Sequence, residues 1–191
     1  MSSRAAVLQA IRENKPADRP LPDLPPDPEV ADLAVYEAAF REVLAASKTR
    51  FVDWSDLPDH LAKYADETVV STVDGIAGTL DIGQIEDPLQ LAGVELAVLP
   101  ARVGVAENGA MWVSEAEAVH RVLPFITQHL ILVLDRADLV GTMHEAYRRI
   151  EVDRTGFGVF VAGPSKTADI EQSLVIGAHG PRSLVVSFRE E

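Results

Sequence analysis

The sequence contains no cysteine. That excludes disulfide staples, a thiolate-held zinc or iron–sulfur cluster within the chain, and a cysteine nucleophile. Long apolar runs are also missing. No stretch approaches the roughly 20 apolar residues that a transmembrane helix needs, and the densest run, Leu130 to Leu134, has the length of a buried strand. Positive charge is in deficit, with 17 Lys and Arg against 30 Asp and Glu, a formal net charge of −13. Such a field repels a phosphate backbone and an anionic membrane surface, so neither nucleic acid nor a membrane is an expected partner. The N-terminus lacks the long apolar core of a signal peptide, which makes the cytoplasm the expected compartment.

What the sequence does contain is a globular composition, 47% apolar over 191 residues. One domain with an extra N-terminal segment accounts for that length, and a domain of that size buries roughly 70% of its unfolded surface. Ser3 can cap a first helix with Val7, Leu8 and Ile11 on one side, stopping near Asn14. Six prolines fall between Pro16 and Pro28, a stiff extended connector. Residues 1–27 therefore read as a helical arm and connector, available to pack on another copy of the chain, and residues 28–191 as the main domain. Asp27-Pro28-Glu29 carries the chemistry of a helix start, and Val30, Leu33, Tyr36, Phe40, Val43 and Leu44 follow as a helical stripe.

From about residue 50 short apolar runs alternate with helices. Strands are expected at Phe51-Val52, Val69 to Val73, Leu96 to Leu99, Val103 to Ala106, Ala110 to Val113, Ile131 to Leu134, Phe157 to Ala162, Leu174 to Ile176 and Ser183 to Phe188. Helices are expected near Leu57 to Ala65, Glu115 to Arg121, Leu139 to Ile150 and briefly after Thr167. This pattern predicts an α/β fold, a mixed, mostly parallel open sheet flanked by helices; the last strands are too close together for crossover helices.

Three segments carry candidate chemistry. Gly163-Pro164-Ser165-Lys166-Thr167-Ala168-Asp169-Ile170-Glu171 follows an apolar strand, the position at which open α/β sheets bind ligands. Gly163 lets a ligand approach the backbone, Ser165 and Thr167 offer hydroxyls, Lys166 a cation, and Thr167 reads as an N-cap. Ordinary capping chemistry, with Asp169 and Glu171 complementing a helix dipole, explains the same residues, and both readings stand. The spacing is not that of a phosphate loop. In the second segment, Val103 to Trp112, Glu107 ends an apolar strand ahead of Asn108-Gly109. Asn-Gly is a strong hairpin signal, and Glu107 is either a surface turn residue or a buried carboxylate with a raised pKa suited to acid, base or nucleophile chemistry. The third segment, Gly177-Ala178-His179-Gly180-Pro181-Arg182, places His179 at a turn tip. No histidine has metal-ligand spacing, so no intrinsic metal site is expected.

Gly163 to Glu171, with Gly177 to Arg182 behind it, resembles the Gly-Pro-Ser-x-Thr-Ala-Asp-Ile-Glu … Gly-x-His-Gly-Pro signature of the lactate-utilisation protein C (LUD-domain) family. The likeness is closest over the C-terminal third and looser from about residue 28. It implies a fold related to glucosamine-6-phosphate deaminase, ribose-5-phosphate isomerase and coenzyme A transferases. It further implies a part in oxidising L-lactate to pyruvate beside two iron–sulfur partner proteins, as a non-redox component without a cofactor of its own. Redox chemistry would then belong to the partners. Family members usually read Ala-Glu-Thr-Gly-Thr where this chain has Ala106-Glu107-Asn108-Gly109-Ala110, so both threonine hydroxyls are lost. Glu107-Asn108-Gly109 is in turn similar to the segment carrying the catalytic glutamate of some coenzyme A transferases. Two alternatives remain: a small-molecule enzyme of that fold using Glu107 on an anionic substrate, with Asn108 among the ligand-binding candidates, and a scaffold without a ligand.

Two structural expectations follow. Glu107, Asn108, Ser165, Thr167, Asp169 and Glu171 should share one sheet edge and a pocket, and Glu107 should be buried. Residues 1–26 should contact their own domain little.

Overall fold

The computed structural model describes residues 3–17, 19–20, 32–152, 156–170 and 173–189, with the backbone alone for 167–170 and 173–174. Its centre is β6 (His129–Asp135), whose apolar run places side chains alternately on two faces. Leu130, Leu132 and Leu134 enter one hydrophobic cluster, Ile131 and Val133 another. β6 lies between β3 (Leu96–Ala101) and β11 (Ser183–Arg189), with β2 (Val69–Ser71) and β1 (Arg50–Phe51) outside them. The five form a wholly parallel sheet of order β1–β11–β6–β3–β2. Such a sheet needs cover on both faces. Leu57 and Leu61 of α3 (Leu57–Leu61) cover one. On the other face lies α2 (Leu33–Ala46), with Phe40 and Leu44 fully buried. Phe40, Phe51 and Phe188 meet there with ring centroids 6.1–6.2 Å apart.

The mixed character expected from the closely spaced strands is present but segregated. β4 (Val103–Val105), β5 (Met111–Ser114), β7 (Leu139–Val140) and β8 (Gly158–Val161) form a second sheet, order β7–β4–β5–β8. β4 and β5 are antiparallel, as are β5 and β8. Period-two alternation decides its packing. Met111 and Val113 join the core beside Leu134, whereas Val103, Val105 and Trp112 face Ala146 and Ile150 around α6 (Met143–Arg149). Antiparallel β9 (Lys166–Ile170) and β10 (Ser173–Ile176) form a separate pair.

Several expectations need correction. Asp27-Pro28-Glu29 lies outside the described residues; the described helix α2 starts at Leu33, capped by the Asp32 carboxylate, which accepts the Ala34 N–H at 3.2 Å. The helix expected from Leu139 begins only at Met143. Leu139 and Val140 pair with Gly104 and Val105, and Thr142 caps the helix by accepting the Glu145 N–H. The segment after Thr167 is strand, not helix, because β10 supplies a partner for it. Glu115 to Arg121 holds only α4 (Glu115–Ala118), which ends in a strained turn ahead of the short α5 (Leu123–Ile126). In α1 (Ser3–Glu13) no residue is buried, and Val7 and Ile11 are exposed.

The strain after α4 is at Val119, with φ 63° and ψ −46°. The His120 N–H donates to Ala118 O at 2.7 Å, which closes a γ-turn of the rare positive-φ form around a β-branched residue. Val119→Gly removes the steric clash but frees the unfolded chain. The net expectation is a gain of about 1 kcal/mol, read as a raised denaturation midpoint. Gly158 lies so close to Trp112 that an added Cβ overlaps the indole. Gly158→Ala should therefore cost about 1–3 kcal/mol by overpacking, measured in the same unfolding assay.

Candidate functional site

The hairpin joining β4 to β5 is built from three hydrogen bonds. Val105 N–H donates to Ala110 O and Gly109 N–H to Val105 O, each at 2.8 Å, and the Asn108 side-chain oxygen accepts the Ala110 N–H at 3.0 Å. Gly109 sits at φ 70°, where an added Cβ would also meet Leu44 at 2.9 Å, so conformation and packing both require glycine. Asn108 is exposed and closes an Asx turn.

Glu107 is exposed, contrary to the expected burial. Alternation along β4 explains its direction. Val103 and Val105 face α6, and so does Glu107, whose carboxylate accepts the Met143 N–H at 2.7 Å at the start of that helix. It serves an amide that the helix itself leaves unpaired.

The first and third segments meet through their main chains. Ser165 N–H donates to Pro181 O at 2.9 Å, and Gly177 N–H donates to Ser165 O at 3.0 Å. Ser165 is half-buried, whereas Lys166 and His179 are exposed. Gly163, at φ 135°, passes so near the end of α2 that an added Cβ would lie 2.8 Å from Ser47 Oγ. Met111 is paired with Val161, so the Asn108-Gly109 turn and Gly163 leave the same end of the small sheet. The structure thus brings the Asn108-Gly109 turn and Gly163 together at the C-terminal end of α2, with Ser165 two residues beyond, whereas Glu107 turns towards Gly141 and Met143. Thr167 and Asp169 continue into β9, where Thr167 is a paired strand residue and not a helix cap; their side chains, and all of Glu171, lie outside what is described.

Two groupings escaped the sequence reading because their members are far apart along the chain. At the N-terminal edge of the parallel sheet, His129 Nδ1 lies 2.7 Å from Ser183 Oγ and His129 Nε2 lies 3.5 Å from Glu95 Oε1. Pairing of Ser183, His129 and Leu96 across three neighbouring strands creates this set. It has the order of a proton relay, but it sits opposite the strand ends at which open α/β sheets bind ligands. Fastening the strand ends is its assigned role. The other grouping lines a cavity of about 660 Å³ at the opposite end of the small sheet from Glu107. There Glu117 accepts from the Ser114 N–H and hydroxyl and from Arg102 Nε. Burial alone would raise the Glu117 pKa, but the bonds from Ser114 and Arg102 outweigh it and hold the carboxyl below its ordinary value. Asp138 is pushed up, first by burial and then by Asp135, against the pull of Arg149 and Arg102. Among the described residues no group of three His, Asp or Glu side chains could hold a metal ion.

A five-stranded parallel sheet roofed by a smaller mixed sheet defines the class: a two-sheet α/β domain. The LUD domain family model matches residues 51–188, and the chain belongs to that family. It is 34% identical over 85 residues to lactate utilization protein C of Shouchella clausii, covering 41% of this chain and 37% of that protein. It is 29% identical over 123 residues to lactate utilization protein C of Geobacillus thermodenitrificans, covering 61% and 49%. The chain thus spans less than half the length of these relatives. A crystal structure of a DUF162 family protein from Deinococcus radiodurans superposes with a TM-score of 0.58 at 17% identity, over 83% of this chain and 98% of that one. The fold is shared with it.

Two substitutions test these local assignments. Glu107→Ala should cost about 0.5–2 kcal/mol by uncapping α6, and Glu107→Gln less because the acceptor remains, both read from denaturant midpoints. For Glu117 the folded pKa is depressed, so its contribution is full above the ordinary carboxylate range and lost as pH falls through the folded value. The stability gap between wild type and Glu117→Gln should therefore be widest near neutrality and narrow as the pH falls through and below the ordinary carboxylate range.

Proposed function

We propose that this chain is a non-redox component of an L-lactate utilisation system, acting in the cytoplasm beside iron–sulfur partner proteins that take up the electrons when lactate becomes pyruvate. The observation that carries this reading is the family match over 51–188, together with relatives named for lactate utilization. The geometry agrees with it in one respect. The two segments that bear the family signature are zipped together by main-chain hydrogen bonds. The division of labour follows from composition, since 191 residues without cysteine offer no thiolate to a cluster. Among the described residues no helix is long and apolar enough to cross a membrane.

The second reading, catalysis by Glu107 on an anionic substrate, has a specific feature in its favour. The carboxylate is solvent-accessible. Its bond to Met143 N–H counts against it, because a base or nucleophile would have to leave that bond to react.

A deletion strain should fail to grow on L-lactate while growing normally on pyruvate, and the tagged chain should co-purify with cluster-binding proteins. Normal growth of the deletion strain on lactate defeats the proposal. Complementation with Glu107→Gln separates the two readings: restored growth assigns Glu107 to the turn, and failed growth by a stable variant assigns it to chemistry.

A further inference from the structure

The cavity of about 660 Å³ lies where the C-terminal ends of β3 and β6 meet the small sheet, since Arg102 follows β3 directly and Asp138 closes the turn after β6. This is the strand end at which open parallel sheets bind ligands, and the volume falls within the range of small-molecule sites. Its walls carry two guanidiniums, each held by a carboxylate. Arg102 donates from Nε to Glu117 at 2.7 Å, and Glu117 is itself fixed by the Ser114 N–H at 3.0 Å and by the Ser114 hydroxyl. The Glu117 side chain is only 8% exposed, whereas that of Arg102 is 70% exposed. A buried acid thus aims an accessible guanidinium, and a guanidinium has five donors of which this bond uses one. In the same lining Arg149 Nη1 donates to Ala137 O at 3.2 Å and stands 3.8 Å from Asp138 Oδ1.

We propose that this cleft binds a small monocarboxylate carrying an oxygen on the adjacent carbon, a 2-hydroxy or 2-oxo acid, with Arg102 and Arg149 taking the carboxylate and Asp138 placed to accept from the hydroxyl of a 2-hydroxy acid. The choice of the acid rests on the lactate reading above; the site itself rests on the cavity and its arginines. The lining sets Arg102 and Arg149 against Glu117, Asp138 and Glu151, so an entering anion must be held by the guanidinium donors that the acids leave over. A chain with a net charge of −13 penalises a polyanion more heavily than a monocarboxylate, because the repulsion grows with ligand charge. That argument ranks a carboxylic acid above phosphate.

The test is titration of the full chain with L-lactate, pyruvate and inorganic phosphate, followed by calorimetry and backbone amide resonances. Saturable binding of lactate or pyruvate, tighter than phosphate and perturbing the amides around Arg102, Ser114 and Asp138, is expected. Arg149→Met and Arg102→Lys should each weaken it about tenfold or more. Arg102→Lys retains a cation for Glu117, so its thermal midpoint should stay near wild type and its loss of affinity cannot be put down to unfolding. The absence of saturable binding by either acid, binding untouched by both substitutions, or tighter binding of phosphate would each overturn the proposal. A lactate growth defect on deletion without binding removes this site and leaves the metabolic reading. Binding by the pure chain with normal growth removes the metabolic reading and leaves the site.

Discussion

A parallel sheet cannot leave a face to water, and that requirement organises this molecule. β6 is central, apolar along almost its whole length, and splits its side chains between two clusters. Something must cover each face. The short α3 suffices on one, because the chain around Val73 and Ile76 helps to fill that side. The other needs the fully buried Phe40 and Leu44 of α2 and also the inner face of the small sheet. The small sheet is therefore part of the core, and its turns inherit positions dictated by that packing.

The C-terminal end of α2 is where this inheritance becomes concrete. Leu44 lies under the Asn108-Gly109 turn, and Ser47 lies against Gly163. Two loops from separate parts of the sequence are thus brought together by one helix end, and the Gly177 to Arg182 segment is joined to them through Ser165. The charged cavity has a different origin, in the strand ends of the large sheet. One fold consequently presents two polar regions at opposite ends of the small sheet, which differ in how they are held: the first by main-chain bonds and glycines, the second by paired side-chain charges.

Strands were legible wherever an apolar run was bounded by polar residues, as at Leu130 to Leu134 and Ser183 to Phe188. Misreadings arose where local chemistry and tertiary pairing disagreed. Thr167-Ala168-Asp169 has the look of a capped helix start, yet β10 offers it a ladder, and pairing overrides weak intrinsic preference. Leu139-Val140 extends a helical pattern backwards, but Thr142 with Glu145 three residues on marks the true start, a capping signature present in the sequence. At the site, the Asn108-Gly109 hairpin could be read directly. The outward direction of Glu107 could not, since it depends on which side of β4 receives α6. Arg102 and Arg149 are separated along the chain, and nothing local marks them as neighbours.

The joint between Ser165, Pro181 and Gly177 is made of peptide groups alone. A main-chain joint is indifferent to side-chain identity, apart from the need for small residues where Gly180 passes Ser165. The exposed imidazole of His179 and the exposed ammonium of Lys166 therefore have no part in making that joint. Evolution is free to vary them as far as the joint is concerned, so any constraint on those two positions across related organisms must come from something outside it.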